Sequence, residues 1–284
     1  MVPAPPVRRR LVGRALRQYR EQLGYNLDDA ARLLECDRSK VSRIETGQRG
    51  IRPKELRELL SDHYRVPWEQ QTLLMELADP RGALGWYRDY ADVLPGPQQD
   101  YAIMEAAASK ITVYEAQRVP GLLQTPAYAR ALAETEPFLA DDAARDRAVE
   151  ALLARQAAVL GEQRPEVHLV IGQAALHQQV GSPAVMNEQL RMLAWEAADS
   201  GTVTVQVLPF ESGAHMAAGE GTVEIVQFAG APGQGLVHVG GVAGGTCLEG
   251  QADLSAYAGA FDQTQAFALS PAQSALLLRG LAGD

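Results

Sequence analysis

The stretch from Gly24 to Gly47, GYNLDDAARLLECDRSKVSRIETG, constrains the fold more than any other part of the chain. Asn26 carries a side-chain oxygen able to take an orphan backbone N–H of a first helical turn, the role of an N-cap. Leu27, Ala30, Ala31 and Leu34 then recur at helical spacing. Glu35-Cys36-Asp37 breaks that pattern, and Asp37 stands where it can cap a second helix whose internal apolar residues are only Val41 and Ile44. Gly47 supplies the positive φ on which helices commonly stop. The pattern predicts two short helices joined by a tight turn. The second turns a thin apolar seam inward and leaves Arg38, Ser39, Lys40, Ser42 and Arg43 outward. A helix that enters the major groove of DNA needs those two faces.

These residues, ending in SRIETG, resemble the lambda-repressor/Cro type of helix-turn-helix, the Xre family, from the N-terminus to about residue 65. The resemblance implies an all-α domain of five helices. Helix 1 is then expected to bury Val12, Ala15, Leu16, Tyr19 and Leu23. Leu56, Leu59 and Leu60 serve a fourth helix opened by Pro53. Trp68, Leu73, Leu74 and Leu77 serve a fifth opened by Pro67. In this family an arginine late in helix 1 pairs with a glutamate at the end of the recognition helix, and Arg20 and Glu45 hold those positions here. The implied partner is double-stranded operator DNA, with base edges read by Arg38, Ser39 and Arg43. Contacts to the groove wall and phosphates are assigned to Asn26, Lys40, Ser42, Arg49, Arg52 and Lys54. Arg49, Arg52 and Lys54 read equally well as a solvated loop.

Charge is distributed in keeping with a DNA partner at one end only. The whole chain is acidic, net −9, with a pI near 5.1. Residues 1–80 hold 15 basic and 12 acidic side chains, net +3, whereas residues 81–284 hold 11 and 23, net −12. Within 8–54 the balance is 13 to 6, or +7. A small basic module joined to a larger acidic one suits a regulator whose second domain does not touch DNA.

The length of 284 residues suggests two domains, and 46% hydrophobic content is ample for a core in each. Cys36 and Cys247 fall in different domains and offer no disulfide framework, so a reducing cytoplasm is the expected location. No apolar run approaches the ~20 residues of a membrane span. Residues 1–10, MVPAPPVRRR, read as a disordered basic arm in which Arg8, Arg9 and Arg10 reach phosphate or minor groove, or else as a solubilising tail. Residues 11–79 form the helix-turn-helix domain. Residues 80–100, rich in Gly, Pro and aromatics, form a linker with a docking segment that Trp86, Tyr87 and Tyr90 pack down.

Residues 101–284 mix helical and alternating patterns, the signature of an α+β domain with a mixed, largely antiparallel sheet. Residues 101–110 read as helix and 111–117 as a strand or the helix's end. VHLVIG, TVTVQVLPF, TVEIVQF and GLVHVGG read as strands; 183–199, 252–267 and 271–282 read as helices. VPGLLQTPAYARAL (119–132), ARQ (154–156), VG (180–181) with MNEQL (186–190), and VQVLPF followed by GAH (205–215) resemble one actinomycete family of regulators. Its members join an Xre-type helix-turn-helix to a large C-terminal domain without an assigned biochemical role. Two departures stand out: Gly172-Gln173 and Gly240-Gly241 occupy positions where relatives commonly carry an acidic residue.

Nothing in the second domain calls for catalysis. His168, His177, His215 and His238 lack the spacing of a metal site, and no serine has a nucleophile-elbow context. The chain is therefore expected to be no enzyme and to need no cofactor or metal. The expected function is a sequence-specific transcriptional regulator whose second domain forms a homodimer and senses a small-molecule effector near VPGLLQT, with Pro120, Leu122, Leu123, Tyr128 and His215 as the candidate pocket. Turn chemistry alone also explains that motif. The alternative is a protein-interaction module that binds a small acidic partner protein and no small molecule.

Overall fold

Val7, Leu11, Val12, Ala15 and Leu16 repeat at helical spacing, and helix α1 (Val7–Gln22) buries all five. The computed structural model describes residues 5–79, 83–94, 96–161, 165–199, 201–215, 217–229, 235–241 and 245–283. Because Val7 extends the apolar stripe by one turn, Arg8, Arg9 and Arg10 lie on α1 rather than in a disordered arm, which corrects the sequence expectation; residues 1–4 are outside the described residues. Leu23, expected to face inward, is 46% exposed, since it follows the last turn of α1 and the chain reverses at Gly24, φ +71°.

Helix α2 (Leu27–Leu33) starts from Asn26, and Glu35, at φ +46°, turns the chain into α3 (Arg38–Glu45). Gly47 follows at φ +73°. Pro53 opens α4 (Pro53–Glu58), which runs on as a π turn over Leu59–His63, and α5 (Trp68–Ala78) completes the bundle. Leu56, Leu59, Leu60, Leu74 and Leu77 are buried. Trp68 is not: it begins α5 on the outer side and is 72% exposed, a second correction. Gly13 matters to the packing of α1 against α3. A Cβ there would meet the Ile44 carbonyl oxygen at 2.4 Å, so only glycine allows this approach.

The chain divides into two compact units. The first takes Met1–Gly85, Asp100–Ala107 and Ala229–Pro232, and the second takes Trp86–Gln99, Ala108–Phe228 and Gly233–Asp284. Residues 100–107 thus group with the first unit. Helix α6 (Gly96–Ala106) contributes its C-terminal half to the first unit, where the Val7 N–H donates to Asp100 Oδ2 at 3.1 Å. Residues 83–90 within the expected linker form a 3-10 helix.

In the second unit the chain alternates β1 (Lys110–Glu115), α7 (Pro126–Ala133), α8 (Asp142–Leu160), β2 (Glu166–Gly172), α9 (Gln173–His177), α10 (Pro183–Ala198) and β3 (Val203–Leu208). There follow β4 (Thr222–Gln227), β5 (Gly235–Val239), β6 (Thr246–Leu248), α11 (Gln251–Phe267) and α12 (Pro271–Ala282). The six strands form one sheet in the order β3-β2-β1-β4-β5-β6. The β1–β2 and β2–β3 pairs are parallel and bridged by helical crossovers; the pairs from β1–β4 to β5–β6 are antiparallel. Strand alternation sorts the core. Ile111 and Val113, with Leu169 and Val205, pack with Leu193 of α10 and Leu278 of α12, while Tyr114, Val170, Ile225 and Val237 face the side that holds Leu254 and Phe261 of α11. Strand β6 was missed in the sequence, because three residues carry too short an alternation to register.

Candidate nucleic-acid interface

The two short helices are built from their caps. Asn26 Oδ1 accepts the N–H groups of Asp28 (2.8 Å) and Asp29 (3.0 Å), and Asp29 returns the bond to the Asn26 N–H at 2.8 Å, a complete capping box. Asp37 Oδ1 accepts the Lys40 N–H at 2.8 Å and the Ser39 hydroxyl as well, which caps the first turn of α3. Val41 and Ile44 are each 3% exposed, and Arg38, Ser39 and Arg43 lie on the exposed side. Arg43 Nε donates to the Ser39 carbonyl at 3.2 Å, which lays its side chain back along the helix.

One end of α3 is anchored by Arg20. Its Nε donates to Glu45 Oε1 at 2.6 Å, its Nη2 to Glu45 Oε2 at 3.0 Å, and its Nη1 to the Tyr25 carbonyl at 2.7 Å. Both side chains are more than nine-tenths buried, and the hydrogen bond that Arg20 donates to Glu45 raises the guanidinium pKa. On the flank, Lys40 Nζ lies 2.8 Å from Glu55 Oε1, each side chain little exposed. Lys40 is thereby tied to Glu55 on α4. Arg52 also binds Glu55, and these two bonds hold that carboxyl down to about 2 against the opposing effect of burial, the Arg52 bond having the larger effect.

The remaining candidates are exposed or half-exposed: Ser42 on α3, Arg49 and Arg52 in the loop after it, Lys54 on α4 with Nζ 3.7 Å from Glu58, and Asn26 at its cap. Arg8, Arg9 and Arg49 line a cavity of about 170 Å³ with Val12 and Ile44 as its floor. The sequence hides this cleft because a run of three arginines after two prolines reads as an arm, whereas Arg8 and Arg9 lie on α1.

The five residues of the candidate effector pocket do not come together. Leu122, Leu123 and Tyr128 are buried in the core on the α10 and α12 side, and Pro120 is buried beside a 3-10 turn over Gly121–Leu123. His215 stands edge-on to Tyr114, ring centroids 5.6 Å apart, on the opposite face of the sheet. The alternation of β1 at Val113 and Tyr114 is what separates them. VPGLLQT instead serves as a clasp point. Gln189 takes the Thr125 N–H at 2.7 Å and donates to the Leu123 carbonyl at 2.6 Å, while Gln156 donates to the Gly121 and Gln124 carbonyls at 2.8 and 2.9 Å. The separate motifs VPGLLQT, ARQ and MNEQL are three sides of one contact.

The structure also reveals a polar cluster on the Val113 face of the sheet. Thr222 donates to both oxygens of Glu115, at 3.0 and 2.8 Å, and Arg118 lies 3.5 Å away. On the neighbouring strand Glu224 is 3.3 Å from Arg155 and 2.8 Å from His238 Nδ1. Burial pushes Glu115 up to about 7, with Glu224 adding to the rise and Arg118 opposing it. The sequence signal was available: a glutamate stands at an inward position in both ITVYEAQ and TVEIVQF. The glycine at 240 fits this neighbourhood, since a Cβ there would lie 2.7 Å from Thr222 Cβ. His168 instead meets Gln206 at 2.6 Å, and His177 meets Gln173 at 3.3 Å.

Residues 98–280 match the family model for a domain of unknown function, DUF5753, and residues 11–74 match the model of a helix-turn-helix domain. No curated protein and no solved structure matches the chain.

Two expectations follow from this geometry. Removing either Arg20 or Glu45 strands a buried charge, at a cost of ~3–5 kcal/mol, and the double substitution Arg20→Met with Glu45→Leu costs less than the two single changes together. Thermal unfolding in a double-mutant cycle reads this, and additive effects refute it. The second concerns Glu115, whose folded pKa lies above its unfolded value. The stability it contributes is complete below the unfolded pKa and is lost as pH rises through about 7. Glu115→Gln therefore gains on the parent protein between about pH 5 and about pH 8, and a pH-independent difference in melting temperature counts against it.

Proposed function

We infer that this chain, which belongs to the DUF5753 family by the match over residues 98–280, is a sequence-specific DNA-binding regulator of transcription. The observation that carries this is the exposed Arg38, Ser39 and Arg43 face on α3, a helix whose opposite side is held by Val41, Ile44 and the Arg20–Glu45 fork. Arg38 and Ser39 open the helix, the end that enters the groove in this motif, and Arg43 lies one turn further on. Arg49, Arg52, Lys54 and Asn26 flank that face as phosphate contacts, joined by Arg8 and Arg9 at the start of α1.

The second unit forms a homodimer and carries the effector response. Trp195 of α10 and Leu276 of α12 are 62% and 68% exposed on helices that pack side by side, which supports a self-complementary apolar surface there. The acidic balance of residues 81–284 makes a small acidic protein the weaker choice of partner, because like charges oppose the encounter. Among the described residues no helix is long and apolar enough to cross a membrane.

A duplex selected from a random library by the full chain provides the test. Arg38→Ala and Arg43→Ala each lose ~1–3 kcal/mol of discrimination between that duplex and mismatched ones. Arg49→Ala weakens all duplexes alike and lowers the salt slope by about one. Lys40→Ala reduces thermal stability without relaxing specificity. Unchanged discrimination in both Arg38 and Arg43 variants sinks the assignment. For the dimer, Trp195→Glu combined with Leu276→Glu yields a monomer in sedimentation at micromolar concentration; a dimer that persists moves the interface elsewhere.

A further inference from the structure

On the sheet face away from α10 and α12, a cavity of about 200 Å³ lies over Tyr114 of β1 and Val223 of β4. Helix α11 walls it with Tyr257 and Phe261, one turn apart, and with Ala256 and Ala260, whose small side chains leave volume beside the rings. Glu220 sits at the wall, hydrogen-bonded by the Tyr257 hydroxyl, and has no basic partner among the described residues. Edge-on to Tyr114, the buried Nδ1 of His215 has no hydrogen-bond partner among the described residues.

We propose that this cavity binds a small organic cation, a positively charged nitrogen on an apolar body of benzyl size. Tyr114, Tyr257 and Phe261 line the cavity with aromatic rings, which attract a cation that has shed its water. Glu220 supplies the countercharge. A neutral ligand of the same shape strips water from that carboxylate and returns nothing to it. An anion meets both Glu220 and the net −12 of residues 81–284. As a cation site the cavity stands alone; as the effector site of a regulator it rests on the DNA-binding function inferred above.

The experiment is a calorimetric titration of the full chain with benzyltrimethylammonium and with neopentylbenzene, its uncharged isostere. The cation saturates one site per chain and binds at least about tenfold more tightly than the isostere. Glu220→Gln weakens the cation by about tenfold or more, and Ala260→Leu, which fills the cavity, abolishes binding. Ala256→Leu, at an exposed helical position, serves the same purpose should the Ala260 variant not fold. Absence of saturable binding, equal affinity for the isostere, or full binding by the Glu220 variant overturns the proposal. Affinity for the selected duplex is then measured with and without saturating benzyltrimethylammonium. A change of about threefold or more supports the effector role, and no change removes that role while leaving the cation site. A chain that selects no duplex refutes the DNA-binding function and leaves the cation result to be judged separately.

Discussion

Arg20 donates to both carboxylate oxygens of Glu45 and to the carbonyl of Tyr25, so one guanidinium joins α1, the end of α3 and the loop that enters α2. The need for such a device follows from how little else holds α3. Val41 and Ile44 are its only buried apolar side chains, each contributing ~1.5–3 kcal/mol of non-directional attraction. Two apolar contacts fix the distance of a helix from its neighbours but not its rotation. A bidentate ion pair at one end and the Lys40–Glu55 bond at the flank supply direction. Gly13 then lets α1 approach the Ile44 and Glu45 carbonyls closely enough for the fork to reach. The exposed arginines face one way because every other face of α3 is spoken for.

Where the sequence was legible, a local signal coincided with the tertiary role. Asn26, Asp37 and Gly47 are read from their own backbone requirements, and the structure uses them for those requirements. The Lys40–Glu55 pair is not legible locally, because a lysine near the start of a polar helix gives no sign that a carboxylate fifteen residues later faces it. Leu23 and Trp68 were placed inside because period alone does not say that a helix has just ended or just begun. Arg8 to Arg10 were given to an arm because three charges outweigh one valine in any composition window, although Val7 is what sets the start of α1.

In the second unit the motifs were visible and their purpose was not. VPGLLQT, ARQ and MNEQL lie far apart in sequence, and only the fold shows that Gln156 and Gln189 spend their amides on carbonyls and an N–H of one loop. A buried loop otherwise leaves those backbone groups unpaired, which is costly in a core that excludes water. The same hydrogen bonds account for VPGLLQT without a ligand, since Leu122, Leu123 and Tyr128 are buried in the core around them. Glu115 and Glu224 were readable as charges at inward strand positions, a mismatch between pattern and burial that marks a polar cluster.

The empty volume lies instead where large and small side chains alternate along α11, and this bears on how a ligand there acts at a distance. A ligand shifts an equilibrium only by the difference in its affinity for two arrangements, so a rigid cavity identical in both transmits nothing. The cavity over Tyr114 has one wall on the sheet and one on α11, and α11 also packs Leu254 and Phe261 against the sheet core. Any ligand that seats better when α11 lies closer to β1 and β4 therefore has a lever built of a whole helix. A tenfold change in operator affinity requires only about 1.4 kcal/mol of such preference, less than the burial of one aromatic side chain contributes.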